Sequence, residues 1–302
     1  MTTQPNKETT FTTLANTCHR INDEQTLFLP NTNDTEYWLY SDLYNLFFAP
    51  PFDLKNMDGH VFQSFDTTPT PKNITPYSFL RQHAQFCNHE YNIRSPYPPY
   101  NMIKKYGLDM KLSRYACFCL FRNIPNLVFT RTYFMMPDAD FKTVYDTSYK
   151  YARIYLREQL QDSERRLNGV LKNIDANIAL FRHEAFKTFY NEIYTEQIID
   201  EYNLGKNITL ADHMGAPSLY ARKYAIDSAI SKFDYALHKD LRSFAMIFDH
   251  ELRIARSKMI SKFNTTPEKD IHKQSIKSLI SEYKAAEKAF IKQYAHCNLN
   301  TK

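Results

Sequence analysis

The chain has 302 residues, of which 43% are hydrophobic and 24% are charged, so its length and composition fit a folded protein with a sizeable core. It contains five glycines, and so few disfavour the glycine-rich loops that hold phosphates in nucleotide-dependent enzymes. No Walker-type or G-x-G-x-x-G sequence occurs. These properties argue against a nucleotide-hydrolysing or dinucleotide-dependent enzyme.

The net charge of +5 is concentrated towards the C-terminus. Residues 232–302 carry 14 Lys and Arg against eight Asp and Glu, whereas the rest of the chain carries 24 against 25. No apolar run approaches the ~20 residues of a membrane span, and five scattered cysteines do not fit a disulfide framework. The sequence therefore predicts a cytoplasmic protein without a membrane partner, whose last quarter could contact a polyanion.

In chain order, the first hundred residues mix strand and loop signals. Residues 1–20 are predicted to be a loose polar lead-in, and residues 26–29 and 36–40 to be two strands. Residues 49–75 are rich in Pro, Asp and Thr and predict a long loop. A helix from Pro76 ends before the proline cluster that follows residue 94, which is a plausible seam between modules.

Helix signals then follow one another without a break. Capping or opening residues predict four helix starts, at Ser113, Pro137, Thr195 and Pro217. Ser113 would cap Arg114–Arg122. The helix from Thr195 is predicted to end near Gly205, and the helix from Pro217 belongs to a periodic stretch that reaches Phe263. The final helix is predicted to be capped by Thr266 and to begin at Pro267.

The predicted fold is therefore mainly α. A small α+β N-terminal module over residues 1–100 is followed by a large all-helical region over residues 101–264. A long basic amphipathic helix over residues 265–302 completes the chain. On this last helix an apolar stripe is flanked by four lysines on one face, Lys273, Lys277, Lys284 and Lys288.

The candidate catalytic and metal-binding patterns each have a structural alternative that we favour. Cys117 and Cys119 would point about 200° apart on a helix, so they cannot share a metal ion and are predicted to be core. Asp212-His213 resembles a base with its orienting carboxylate, but no nucleophile accompanies it, and Asp212 before a short helix favours a cap. His83-x-x-x-Cys87 has the spacing of half a metal site, and no second pair of ligands is evident. We predict no catalytic residue, no metal and no cofactor.

Three arginines are the strongest binding candidates, because the planar guanidinium suits phosphate and carboxylate recognition. They are Arg114, Arg122 and Arg131. Arg114 lies in the first turn of its predicted helix, where the helix dipole does not favour a cation, and this hints at an outside partner. A structural salt bridge is the commoner explanation. The lysines of the last helix have the same ambiguity, since they suit either a packed helix or a DNA-backbone contact.

Four short islands carry the most specific information in the chain. The first is Ser113-Arg114-Tyr115-Ala116-Cys117, whose helix is closed by Asn123. Thr132-Tyr133-Phe134 follows, then the region from Leu156-Arg157-Glu158 to Leu167, and then Asp212-His213-Met214-Gly215. In order and spacing these islands resemble the bacterial damage-inducible protein D family over about residues 108–230. Residues 37–46 also resemble the strand-then-helix opening of phage antirepressors of the Bro N-terminal type.

This chain departs from the family at two turns. Relatives have Asn-Gly-Asp-Pro after the first helix, where this chain has Asn123-Ile124-Pro125-Asn126. A glycine pair near Phe186–Tyr190 is replaced by Asn191-Glu192. The segment beyond Phe263 has no match in the family.

The resemblance implies a non-enzymatic regulator of the SOS response that modulates the RecA recombinase or its DNA filament, with DNA itself as a second candidate partner. The residues we assign to partner contact are the three arginines and four lysines named above. An antirepressor-like transcriptional regulator is the alternative, and a DNA nuclease is the third hypothesis, which the sequence favours least. The oligomeric state is not indicated.

Overall fold

The protein is represented by a computed structural model. It describes residues 7–20, 36–39, 42–43, 111–112, 114–122, 128–174, 176–206, 208–233 and 240–295. This part of the chain is mainly helical, as predicted. The strand at 26–29, the loop at 49–75, the helix from Pro76 and the motif of His83 and Cys87 lie outside the described residues.

The helices and strands have the following bounds. The strands are β1 Cys18–Arg20, β2 Glu36–Leu39 and β3 Lys111–Leu112. The helices are α1 Lys7–Asn16, α2 Arg114–Arg122, α3 Val128–Met135, α4 Phe141–Asn173, α5 Ile178–Phe189, α6 Thr195–Glu201, α7 Ala216–Lys232, α8 Leu241–Phe263 and α9 Ile276–Ala295, with a 3-10 turn at Leu210–Asp212. Among these described helices, none is long and apolar enough to cross a membrane.

The three short strands form one antiparallel sheet in the order β1-β2-β3. Trp38 in the middle strand pairs with Cys18 on one side and with Leu112 on the other. The predicted strand at 36–40 is therefore confirmed at Glu36–Leu39. Strand β3 leads directly into the first island, so the sheet positions the start of α2.

The described residues fall into two compact units. The first contains the residues up to Ser148 and those from Tyr283 onward, and the second contains Tyr149–Glu282. Helices α4 and α9 each contribute residues to both units. The three-part division predicted from the sequence stays a prediction.

Aromatic side chains build the core of the first unit. Trp38 is fully buried, donates from Nε1 to the carbonyl oxygen of Leu14 at 3.0 Å, and meets the ring of Phe134 edge-on at 5.1 Å. Phe134 in turn stacks on Phe121 of α2. Phe290 of α9 packs edge-on against Phe118 of α2, at 4.9 Å between ring centroids. Such ring pairs stabilise a core beyond the area they bury.

The second unit is held by helix pairs. Helices α7 and α8 make the most extensive contact, and α5 packs along α8. Phe181 and Phe186 of α5 both contact Phe248 of α8, which is fully buried. Phe244 lies one turn earlier on α8 and also contacts Phe181. Aromatic side chains of α5 and α8 therefore face one another here.

The prediction of a loose lead-in over residues 1–20 is wrong for residues 7–16, which form α1. Two apolar side chains three residues apart anchor this polar segment. Leu14 is fully buried, and Phe11 lies edge-on to the rings of Tyr133 and Phe141 at 5.4 and 5.7 Å. Burial of one apolar face outweighs the weak intrinsic helix preference of its Thr-rich sequence.

Three predicted helix ends are also wrong. Helix α4 begins at Phe141 rather than at Pro137, because the Asp140 carboxylate accepts a hydrogen bond from the Thr143 amide at 2.7 Å and caps the helix there. Thr195 is the first helical residue of α6 rather than its cap, and α6 ends at Glu201, before Gly205. The predicted start at Pro217 is confirmed, with proline in the first turn of α7. The periodic stretch beyond it is divided between α7 and α8.

The last helix begins at Ile276, nine residues after the predicted start at Pro267. The Ser275 hydroxyl accepts from the Ser278 amide and caps it. The preceding segment is used differently, since Ile271 forms a bridge with Met214. Lys273 consequently lies before the helix, and only Lys277, Lys284 and Lys288 share the predicted helical face.

Asn191-Glu192, which replaces a glycine pair of the family, lies just after the end of α5. Both residues have positive φ, 58° and 65°, and the Glu192 amide donates to the carbonyl oxygen of Lys187 at 2.8 Å. This is the bond of a Schellman motif, in which the residue after the helix adopts the left-handed conformation that glycine favours. Glycine residues, such as the pair in the family that this chain resembles, would adopt this conformation without strain.

We expect Glu192→Gly to raise the free energy of unfolding by about 1 kcal/mol, because an L side chain in the left-handed region costs about that much. Glu158→Gly in the middle of α4 is the control, and there glycine should lower stability by about 1 kcal/mol. Chemical denaturation followed by circular dichroism measures both. Destabilisation by Glu192→Gly would contradict the assignment of strain to this turn.

Candidate functional site

The first island lies in the interior of the first unit. Tyr115 and Cys117 are buried, which confirms Cys117 as a core residue. Arg114 is only 8% exposed, donates from Nη1 to the carbonyl oxygen of Tyr133 at 3.2 Å, and places its guanidinium 5.0 Å from the centre of the Trp38 ring. A cation–π contact and a backbone hydrogen bond therefore hold Arg114 in place, and its contact with an outside partner stays a prediction.

The other basic candidates differ in position. Arg131 is half-buried, with its guanidinium 5.8 Å from the centre of the Tyr283 ring. Lys273 and the three α9 lysines Lys277, Lys284 and Lys288 are all exposed. The side chain of Arg122 lies outside the described residues, as do Ser113 and Asn123. The structure thus does not gather the predicted arginines and lysines into one described cluster.

The fourth island forms a short two-stranded contact with the segment before α9. The Gly215 amide donates to the carbonyl oxygen of Asp270 at 2.8 Å, and the His272 amide donates to that of His213 at 2.7 Å. His213 Nδ1 also lies 2.9 Å from the carbonyl oxygen of His272. His213 and Met214 are buried. The segment that precedes α9 is therefore fixed to a loop nearly sixty residues earlier in the chain.

Asp270 completes the N-terminus of α7 from outside the helix. Its Oδ2 accepts from the Ser218 amide at 3.0 Å and from the Ser218 hydroxyl at 2.7 Å. A Cβ atom on Gly215 would lie 1.9 Å from Asp270 Oδ1, so only glycine leaves room for this carboxylate. Gly215 is therefore required by the close approach of the Asp270 carboxylate and not by its backbone conformation, since any residue can adopt a φ of −71°.

Asp212 is an ion-pair partner and not the helix cap that the sequence favoured. Its Oδ1 accepts from Arg157 Nε of α4 at 2.7 Å. The neighbouring His213 is bonded to backbone oxygen instead, so the imagined base and orienting carboxylate do not form a pair with each other. Within the described ranges, no three or more His, Cys, Asp or Glu side chains group as a metal site would.

Glu164 is the centre of a charged cluster that includes Arg157. Its Oε1 accepts from Arg222 at 2.7 Å and pairs with Arg182 at 2.9 Å, and its Oε2 lies 3.6 Å from Arg157 Nη1. The side chains of Arg157, Glu164 and Arg222 are 10%, 12% and 7% exposed. One carboxylate therefore joins α4, α5 and α7, and Arg157 extends the cluster to Asp212.

The charges of this cluster stabilise one another. Burial raises the pKa of Glu164, but the guanidinium groups of Arg222, Arg182 and Arg157 lower it by more, so the pKa lies below its ordinary value. Burial lowers the pKa of Arg222, yet the Glu164 carboxylate and the Tyr190 hydroxyl together outweigh this and raise it. The Arg222 guanidinium also lies 3.8 Å from the centre of the Phe186 ring. Both groups are charged at neutral pH.

A separate buried arginine secures the same loop. Arg153 is 2% exposed, and it donates from Nε to the carbonyl oxygen of Met214 and from Nη2 to that of Gln274, both at 2.9 Å. Burial lowers its pKa to about 10, so the side chain remains charged at neutral pH. A cation thereby satisfies backbone oxygens on both sides of the contact between the island and the segment before α9.

Sequence reasoning missed most members of this arrangement. Arg153, Arg157 and Glu164 lie on the same face of α4 as Leu156 and Leu160, because they follow one another at multiples of about one helical turn. Charged residues inside an apolar stripe were the available signal. Arg182, Arg222 and Asp270 carry no comparable local signal, since their partners lie 18, 58 and 52 residues away.

Comparison with known proteins gives one similarity to report. The chain is similar to the DNA damage-inducible protein D of Escherichia coli (strain K12), with 27% identity over 131 residues. The match covers 38% of this chain and 47% of the relative, so it spans about half of the relative's length. No family model matches the chain, and no solved structure matches it.

Proposed function

We propose that this protein is a non-enzymatic, cytoplasmic regulator of the response to DNA damage, which modulates RecA-type recombinase filaments or binds the DNA on which they form. The supporting observation is the ordered set of islands, together with the similarity to a relative whose name describes induction by DNA damage. The excess of basic residues after residue 231 suits a protein that works near a polyanion.

The buried position of the islands means that they indicate a shared fold rather than a shared contact surface. Tyr115, Phe134 and Met214 are buried, and Gly215 makes room for Asp270. Residues of this kind specify a fold, so a chain that retains them retains a scaffold rather than a contact surface. The contact surface is then best sought among exposed residues, of which the lysines of α9 are the basic candidates.

The proposal predicts that the purified chain changes RecA filament assembly on single-stranded DNA and the rate of strand exchange. Filament assembly is followed by ATP hydrolysis and light scattering, with heat-unfolded chain as the control. Unchanged assembly and exchange, together with no binding to single- or double-stranded DNA at low salt, would overturn the proposal. Divalent-metal-dependent cleavage of the DNA in the same reactions would replace it with the nuclease hypothesis.

The antirepressor-like alternative is favoured by one observation, that strand β2 at Glu36–Leu39 lies where the resemblance to the Bro N-terminal type begins. It predicts selective binding of one duplex sequence from a random pool. The intact chain should be used, because Trp38 of this strand is part of the aromatic core of the first unit. Enrichment of a single duplex motif, with RecA reactions unchanged, would favour this alternative.

A further inference from the structure

Three lysines of α9 form a regular row on the first unit. Lys284, Lys288 and Lys292 are exposed and follow one another at intervals of four residues, and we call them the basic track. A helix rises 1.5 Å per residue, so successive members are about 6 Å apart along its axis. Each step turns the side chain by only about 40°, so the row stays on one face.

Phe290 fixes the direction in which the basic track faces. It is 4% exposed and packs on Phe118 and Tyr115 of α2. At about 100° per residue, the three lysines lie about 120° to 200° around the helix from Phe290, on the side away from this contact. The anchoring of α9 by its aromatic face therefore presents the basic track to solvent.

The lysines of the basic track have no counter-charge of their own. Elsewhere, lysines pair with carboxylates, as Lys142 does with Asp146 and Lys223 with Asp227. Within the described ranges no hydrogen bond or ion pair engages the three track lysines. The two acidic residues of α9, Glu282 and Glu287, lie outside the arc that the track occupies on the helix. The track is thus a continuous strip of positive charge.

We propose that the basic track binds the phosphates of a single-stranded nucleic acid, an inference that rests on the proposed function and names the surface responsible. The strip is complementary in charge to a polyanion, and three ammonium groups at regular spacing match a ligand with regularly repeated anions. The phosphates of a duplex strand turn around the helix axis at every step, whereas a flexible single strand can extend along a straight row of cations. The straight row on α9 therefore suits a single strand.

The exposed alanines beside the basic track are consistent with this assignment. Ala285 and Ala289 flank it and carry no side chain that would hold a strand away from the helix. Lys292, which the sequence-based candidates did not include, completes the row. Lys273 belongs to the segment before the helix and is not part of it.

The test uses the full chain with a fluorescent 20-residue oligo-dT, a probe without secondary structure, at several salt concentrations. The triple variant Lys284→Gln, Lys288→Gln and Lys292→Gln removes the basic track. We expect it to weaken binding on the order of 100-fold at 50 mM salt and to reduce the slope of log K against log salt by about 2, since each phosphate contact on a single strand contributes about 0.7.

The matched control is Lys150→Gln, Lys172→Gln and Lys206→Gln, which changes the net charge equally at exposed positions off α9. It should bind like the unmodified chain. Arginine at all three track positions should restore binding, because charge is what the contact requires. Circular dichroism and thermal unfolding check that every variant is folded.

Three results would overturn the proposal. They are equal losses in the track and control variants, lysine-dependent binding that is tighter for a duplex of the same length, and lysine-dependent binding to anionic lipid vesicles without binding to oligo-dT. If the chain alters RecA reactions but does not bind oligo-dT, the inference fails and the proposed function stands. If the track binds oligo-dT while RecA reactions are unaffected, the inference stands and the proposed function is reduced to DNA binding without filament modulation.

Discussion

Glu164→Gln is expected to lower the free energy of unfolding by about 3–5 kcal/mol, the range observed when one partner of a buried ion pair is removed. Glutamine keeps the size of the side chain but removes the charge on which Arg157, Arg182 and Arg222 converge. Of the three guanidinium groups, only that of Arg157 would then keep one of the ion pairs described above, the one with Asp212. Chemical denaturation followed by circular dichroism measures the loss.

The effect of Glu164→Gln should depend on pH in a definite direction. The folded-state pKa of Glu164 lies below its ordinary value of 4.5, so its carboxylate stabilises the fold above about pH 4.5. That stabilisation is lost as the pH falls through the lower, folded-state pKa. The difference in unfolding free energy between the unmodified chain and the variant should therefore be full at pH 7 and shrink below pH 4.5.

Glu158→Gln provides the control for this prediction. Glu158 is an exposed residue of the same helix, and its replacement should change stability by no more than about 0.5 kcal/mol. Equal effects at the two positions, or a Glu164 effect that persists undiminished in acid, would mean that the cluster does not hold the helices together through its charges.

Gly215→Ala is expected to destabilise the second unit by about 2–4 kcal/mol. The added methyl group would lie 1.9 Å from Asp270 Oδ1 and 2.3 Å from Asp270 Cγ. The carboxylate cannot move aside without losing its hydrogen bonds to the Ser218 amide and hydroxyl. The expected cost combines overpacking with loss of a helix cap. The same denaturation measurement applies.

Gly169→Ala is the matched control for Gly215→Ala. Gly169 lies in α4, and apart from its chain neighbours and the nearby backbone of its own helix, no atom would lie within 4 Å of an added Cβ. Alanine is the better helix former, so this change should stabilise the chain by about 0.5–1 kcal/mol. The same substitution at two glycines thus has opposite expected signs.

A double-mutant cycle with Asp270→Ala identifies the cause. If the methyl group acts through the Asp270 carboxylate, Gly215→Ala should cost much less once that carboxylate is gone. An equal cost in both backgrounds would show that the glycine is required for a reason other than close approach.

The sequence predicted helices more reliably than helix ends. The apolar stripes of α4 and α8 are local patterns, and the structure confirms that they are helical. The start of α9 could not be obtained locally, because Thr266-Pro267 has the form of a helix start while the segment it opens pairs with Met214. A contact with a distant residue outweighed a correct local signal.

The charged residues of the interior also depend on contacts with distant residues that a local pattern cannot predict. Arg153, Arg157 and Glu164 interrupt the apolar face of α4, and this pattern could have indicated a buried ionic cluster. Their partners could not be identified, because Asp212 was an equally good cap by its local sequence. The sequence favours Arg114 as a binding candidate for a related reason, since the ring of Trp38 that covers it lies 76 positions earlier in the chain.

The Asp270 cap also bears on the order in which the protein can be completed during synthesis. Ser218 emerges from the ribosome 52 residues before the carboxylate that satisfies its amide. Arg153 waits longer, because its bond to Gln274 spans 121 residues. The first unit likewise needs Phe290 from the last helix. Neither unit can reach its final packing until the residues from Asp270 to Phe290 have been translated, so removal of the chain from residue 270 onward is expected to affect both units together.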